Sequence, residues 1–245
     1  MGNTAVRELH RSIAHALEAA GRQSGYAADA NEPDPRYKSY GARAAAKRAA
    51  FTDHRRDIVS LGADAAMDLV LRLFASGYGE QQGVGIEILA KRSDLLHEVN
   101  VGVLDDLIRH LHGWSKIDGF TGAVMPNLVL RYPDRILPLV RSWSRDTDLW
   151  PRRASIVLFT RKVAKSGLFT DVGLELAARL SSDPELMVQK GVGWALKDMM
   201  ASDEDRIIRI VKELRAAGAP SVVTLYAIRN LEPEKRRAVL AVRPR

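Results

Sequence analysis

Apolar residues recur along almost the whole chain at the spacing of a helix buried on one face. Leu104, Leu107, Ile108 and Leu111 follow the i, i+3, i+4, i+7 pattern. So do Ile136, Leu139, Val140 and Trp143, and again Ile207, Ile210, Val211 and Leu214. The alternation of a half-buried strand is scarce, and no Asn-Gly or Asp-Gly turn separates two β-branched runs. Pro133, Pro151, Pro184, Pro220 and Pro233 fall where helices should begin or break, because proline lacks the amide hydrogen that a helix interior uses. Only residues 21–35 read as a long polar loop. The pattern predicts an all-α protein of about a dozen helices.

So many helices in one chain suggest an internal repeat. Gly83-Val84-Gly85-Ile86 and Gly191-Val192-Gly193-Trp194 lie 108 residues apart, three times 36. Filling the interval gives four slots, Gln82, Asp118, Arg153 and Lys190, spaced by 36, 35 and 37 residues. Each slot sits near the start of the second helix of a two-helix unit. Such units stack into a helical solenoid because none can bury its apolar face alone. Equivalent positions then line up on one surface, so the slots are expected to form a polar row on the concave side.

With 245 residues, 27% charged and 46% hydrophobic, the chain suits an ordinary globular domain with a sizeable core. The reading is a single repeat domain over 1–245, with an N-terminal helix and polar loop at 1–37 and repeats from 38 onward. The net charge of +7 is unevenly spread. Residues 35–56 carry +6, residues 141–166 carry +5 and residues 229–245 carry +4, leaving −8 for the remainder. Two readings of these segments stand: solvated helix surface, or one face suited to a phosphate backbone. In the first segment Arg43, Lys47 and Arg48 are the candidate phosphate contacts. No apolar run is long enough for a membrane span, and the first twenty residues lack the apolar core of a signal peptide.

The chain has no cysteine. That removes disulfides, thiolate nucleophiles, direct alkyl transfer to sulfur, Cys-ligated zinc and iron–sulfur chemistry. There is no Gly-rich phosphate loop and no His-Glu-x-x-His, and His110 and His112 are too closely spaced to share a helix face. No metal site and no cofactor are expected. What remains is a cluster in three stretches: Gly113-Trp114-Ser115-Lys116-Ile117-Asp118-Gly119, Leu149-Trp150-Pro151-Arg152-Arg153-Ala154, and Gln189-Lys190-Gly191-Val192-Gly193-Trp194. Trp114 and Asp118 are four apart, hence neighbours on a helix. By the repeat spacing, Arg153 and Trp194 are expected to converge with them on one groove. Plainer roles exist for each. Ser115-x-x-Asp118 fits a capping box, Trp194 fits a core position, and Lys190 fits either a phosphate contact or solvent. Trp143 and Trp150 read as core.

These stretches resemble the DNA alkylation repair family of AlkD-type, HEAT-like DNA glycosylases. The resemblance rests on Trp114-x-x-x-Asp118, on Trp150-x-x-Arg153-Ala154 and on Gln189-Lys190-x-x-Gly193-Trp194, and extends more weakly from about residue 36 to residue 240. It implies a right-handed solenoid with a concave DNA-binding face. It also implies a monofunctional glycosylase that excises N3-methyladenine and N7-methylguanine from double-stranded DNA without a deep base pocket. Trp114, Asp118 and Trp194 would form the catalytic cleft, and Arg153 would hold a backbone phosphate. A monomer in the bacterial cytoplasm or nucleoid follows from the same resemblance. Ala44 and Ala45 stand where the family often has Thr and Pro, and Leu225-Tyr226 where it often has Arg.

The chemistry agrees with those residue types. A purine alkylated at N3 or N7 is cationic and already a good leaving group. The enzyme then has mainly to stabilise positive charge growing on the deoxyribose, which a carboxylate and indole faces can do. The alternative is a non-catalytic HEAT-like protein that grips distorted or branched DNA.

Overall fold

The computed structural model of the protein describes residues 2–24, 32, 34–96 and 100–243. Among them every regular element is helical, apart from an isolated parallel bridge between Lys38 and Tyr78. The chain divides into two compact units, Met1–Val124 and Met125–Arg245. The boundary falls between the seventh and eighth α-helices.

The first unit contains α1 (Gly2–Ser24), α2 (Ala44–Asp53), α3 (Arg55–Ser60), α4 (Ala63–Ala75), α5 (Gly79–Lys91), a 3-10 turn (Ser93–Leu96), α6 (Val101–His110) and α7 (Trp114–Ala123). Helix α5 is its hub, packed against α4, α2, α7 and α1. The polar stretch expected as loop from residue 21 is helical to Ser24, because α1 is long enough to carry its buried stripe of Val6, Ile13 and Leu17 across α4. The remainder of that stretch up to residue 31, and residue 33, lie outside the described residues. The stripe Leu104, Leu107, Ile108 and Leu111 is fully buried, as its spacing predicts.

Three consecutive buried polar residues open α5 and fix the approach to α2. The Glu80 carboxylate accepts hydrogen bonds from Ser39 Oγ at 2.6 Å and from the amides of Tyr40 and Ala42 at 3.2 Å each. Gln81 donates to the Tyr40 hydroxyl at 2.7 Å, and its carbonyl oxygen lies 2.8 Å from His10 Nε2 on α1. Gln82 donates to the carbonyls of Phe74 and His110. Tyr40 stacks on Tyr78 with ring centroids 4.0 Å apart. Residues 38–42 are thereby pinned to the α4–α5 turn, and Arg43 becomes the N-cap of α2.

The second unit contains α8 (Met125–Arg131), α9 (Pro133–Trp143), α10 (Leu149–Val157), α11 (Arg161–Ser166), α12 (Thr170–Leu180), α13 (Leu186–Met199), α14 (Glu204–Ala216), α15 (Ser221–Ala227) and α16 (Pro233–Leu240). Pro133 and Pro233 occupy first helical positions, where the missing amide hydrogen is not needed. Asp148 caps α10 through the Trp150 amide, and Asp203 caps α14 through the Arg206 amide. Helix α13 is the hub here, packed on α15, α10 and α12. Trp143 and Trp150 are core, each 1% exposed.

The glycine pairs that revealed the repeat serve close packing. A Cβ on Gly85 would lie 2.7 Å from the Phe74 ring, and one on Gly193 would lie 2.8 Å from the Val223 carbonyl oxygen. Each glycine therefore lets its helix approach a neighbour within its own unit. Both glycine pairs lie inside helices rather than in a phosphate-binding loop.

Candidate nucleic-acid interface

Asp118, Arg153 and Lys190 are each the fifth residue of their helices, α7, α10 and α13, and Gln82 is the fourth residue of α5. The four slots thus fall at nearly the same point of their helices. Its exposure is not as expected. Gln82, Asp118 and Arg153 are at most 8% exposed, and only Lys190 is half-buried. Gln82 joins the end of α4 to the His110 carbonyl and does not contribute to an open polar row.

In the first unit, Gly113 starts α7 with a φ of +92°, a backbone that favours glycine. The Glu32 carboxylate covers the exposed amides of that helix end, accepting from Trp114 at 3.1 Å and Ser115 at 3.4 Å. A Cβ on Gly113 would lie 2.6 Å from that carboxylate, a second reason for glycine there. Ser115 is consequently not the cap, and Asp118 lies in the second turn, beyond reach of a capping box. Removing the carboxylate with Glu32→Ala is expected to destabilise this unit by about 1 kcal/mol. A shift of the denaturant midpoint measures it, and an unchanged midpoint would deny the cap.

Trp114 is 36% exposed and lines a pocket of about 390 Å³. Arg43, Lys47, Glu80, Ser115 and Lys116 also line it. An adjoining pocket of about 260 Å³ shares Lys47, Ser115 and Lys116 and adds Arg48, Glu87 and Gly119. The first unit therefore brings together four of the residues singled out in the sequence: Arg43, Lys47, Arg48 and Trp114. Between them lies Lys116, which was not singled out. Its ammonium is held down to a pKa of about 8 by burial, helped by the charge of Lys47, with Glu80 and Glu32 opposing.

In the second unit, Arg153 donates to the Met187 carbonyl at the start of α13 and lies against Gly191. Arg152 turns elsewhere, gripping the Asp183 carboxylate at 2.7 and 3.2 Å and the carbonyls of Asp146 and Thr147. Adjacent arginines on one helix thus have separate partners. Trp194 is half-buried, and the guanidinium of Arg161 sits 4.8 Å from its ring centroid. Arg161 also lines a pocket of about 520 Å³ with Lys162, Lys165, Lys197, Asp198 and Asn230. Among the described residues no three His, Asp or Glu side chains gather closely enough to hold a metal ion. No described helix is long and apolar enough to cross a membrane.

Comparison with known proteins bears directly on these surfaces. Residues 13–231 match the family described as DNA alkylation repair enzyme. The chain belongs to that family. Its role is accordingly in the repair of alkylated DNA, with DNA as substrate. The fold is shared with a solved structure titled "Predicted DNA alkylation repair enzyme from Enterococcus faecalis", at a TM-score of 0.69 and 14% identity, covering 90% of this chain and 95% of that one. No curated protein matches the chain.

For this DNA alkylation repair enzyme, Arg161, Lys116 and Glu32 were invisible in the sequence as parts of a site. Arg161 has a φ of +49° and its amide donates to the Asp198 carboxylate at 2.9 Å. A non-glycine residue in that region of backbone space is held there by tertiary contacts, which no local window displays.

Proposed function

We propose that this DNA alkylation repair enzyme is a glycosylase that releases N3-methyladenine and N7-methylguanine from double-stranded DNA by hydrolysing the N-glycosidic bond. The observation that carries the reading is α7. It holds a buried carboxylate, Asp118, one turn beyond an exposed indole, Trp114, and Trp114 lines a pocket with Arg43 and Lys47. A cationic alkylpurine departs without strong protonation, so the barrier lies in the positive charge that develops at C1′. A fixed carboxylate stabilises that charge and orients the attacking water. Indole faces attract the polarised C–H groups of the sugar, each contact contributing about 0.5–2 kcal/mol.

The remaining assignments follow the same logic. Trp194 is assigned to the sugar and base, and Arg153 and Lys190 to backbone phosphates. Arg43, Lys47 and Arg48 take phosphates alongside the first-unit pockets. Guanidinium groups suit this task because their planar forks match two phosphate oxygens. No step in this scheme draws on a cofactor, and a single copy of the chain carries every group named.

Incubation with methylated duplex DNA and detection of free base tests the proposal directly. Tight binding without base release would favour the reading as a non-catalytic grip on distorted or branched DNA. For the phosphate role, Arg153→Ala is expected to reduce the slope of log K against log salt by about 0.9, the release of one phosphate's counterion. An unchanged slope would remove Arg153 from the backbone contacts.

A further inference from the structure

Lys116 has no task in base release, yet its surroundings are those of a reactive amine. It is 5% exposed and lines both first-unit pockets. No carboxylate among the described residues pairs with it. Of the nearby acids, Glu80 is committed to Ser39, Tyr40 and Ala42, and Glu32 to the amides of α7, while Glu87 lines only the adjoining pocket and forms no ion pair with Lys116. Its side chain meets that of Lys47. Two neighbouring amines, neither ion-paired with a carboxylate among the described residues, favour loss of a proton from one of them, which leaves a nucleophile and a neighbouring acid. A structural lysine would be expected to have the opposite setting, an exposed head group or a paired one.

The walls of the pocket indicate what such an amine meets. Arg43 lines the first pocket with Trp114, Arg48 lines the adjoining one, and Ser115 lines both, so each pocket carries a cation suited to a phosphate. Between two phosphates of a DNA strand stands a deoxyribose. Once its base is lost, that sugar opens to an aldehyde, the electrophile with which a neutral amine condenses.

We propose that Lys116 is an imine-forming nucleophile for the aldehyde of abasic DNA. The proposal rests on the glycosylase reading only for the origin of the abasic sugar, since base release itself stays hydrolytic. The nitrogen lone pair attacks C1′, the carbonyl electron pair moves to oxygen, and that oxygen takes a proton from the Lys47 ammonium. The resulting carbinolamine expels one water as the C=N bond forms. No oxidant or reductant enters. Water reverses the sequence and returns aldehyde and amine, so the adduct holds the product until it is handed on.

The test uses duplex DNA carrying a preformed abasic site, made by enzymatic removal of uracil, so that no base release by this protein is required. Sodium cyanoborohydride reduces an imine to a stable secondary amine and fixes the protein to the strand. The full-length protein is expected to give this adduct, and peptide mapping is expected to place it on Lys116. Lys116→Arg and Lys116→Met should each lower its yield by at least about tenfold, because neither side chain offers a neutral amine. The rate should rise as pH passes through about 8, where Lys116 becomes neutral among Arg43, Lys47 and Arg48 on the α2 side, Glu80 and Glu87 on α5, and Glu32. Absence of an adduct, mapping to another lysine, or a yield in either variant equal to that of the parent protein would overturn the proposal. Release of methylated base from a second substrate is scored separately. A protein that releases base but forms no adduct fails this inference alone, and one that forms the adduct without releasing base fails the glycosylase reading alone.

Discussion

Asp118→Asn is expected to lower release of N7-methylguanine from DNA by about 10²–10³-fold, the scale on which a single preorganised electrostatic group acts. The substitution keeps the side chain's size while removing its charge. Asp118 is 8% exposed and sits in the second turn of α7, so a larger side chain there would disturb buried packing. Single-turnover release of free base, measured beside a thermal unfolding curve, separates chemistry from folding. An unchanged melting temperature with lost release is the expected pair of results. Undiminished release by the variant would sink the carboxylate mechanism.

The second large effect concerns stability. Gly193→Leu is expected to destabilise the second unit by about 3 kcal/mol, the upper part of the range for overpacking. The atom that a Cβ would meet first is the Val223 carbonyl oxygen at 2.8 Å, with Tyr226 Cβ equally close. A backbone oxygen cannot swing aside as a side-chain terminus can, so α13 and α15 would have to separate. Loss of about 10 °C in melting temperature follows for a unit of this size. A variant that melts like the parent would show that the two helices slide without penalty.

Much of this architecture was legible in the chain because a helix buried on one side writes its own period. Leu104, Leu107, Ile108 and Leu111 are fully buried, and the spacing of Asp118, Arg153 and Lys190 places each at the same point of its helix. Tryptophan roles were separable on the same basis. Trp143 completes an apolar stripe and is core, whereas Trp114 opens α7 and is exposed. The capping-box reading of Ser115 and Asp118 failed for a physical reason. The amides at that helix end are satisfied by Glu32, 82 residues away from Trp114. Arg161 against Trp194 and Lys116 against Lys47 escaped for the same reason, since a side chain's burial and charge neighbours belong to the packed structure.

The Glu32 contact also bears on the order in which the first unit assembles. Closing a chain segment of that span has an entropic cost that local turns do not incur, and contacts of long sequence separation accordingly form late. Helices α4 and α5, joined by a short turn, can associate early. The first turn of α7 must wait until a residue from the other end of the unit arrives to complete it. The helix that carries Trp114, Lys116 and Asp118 is thus completed only when Glu32 has reached its first turn.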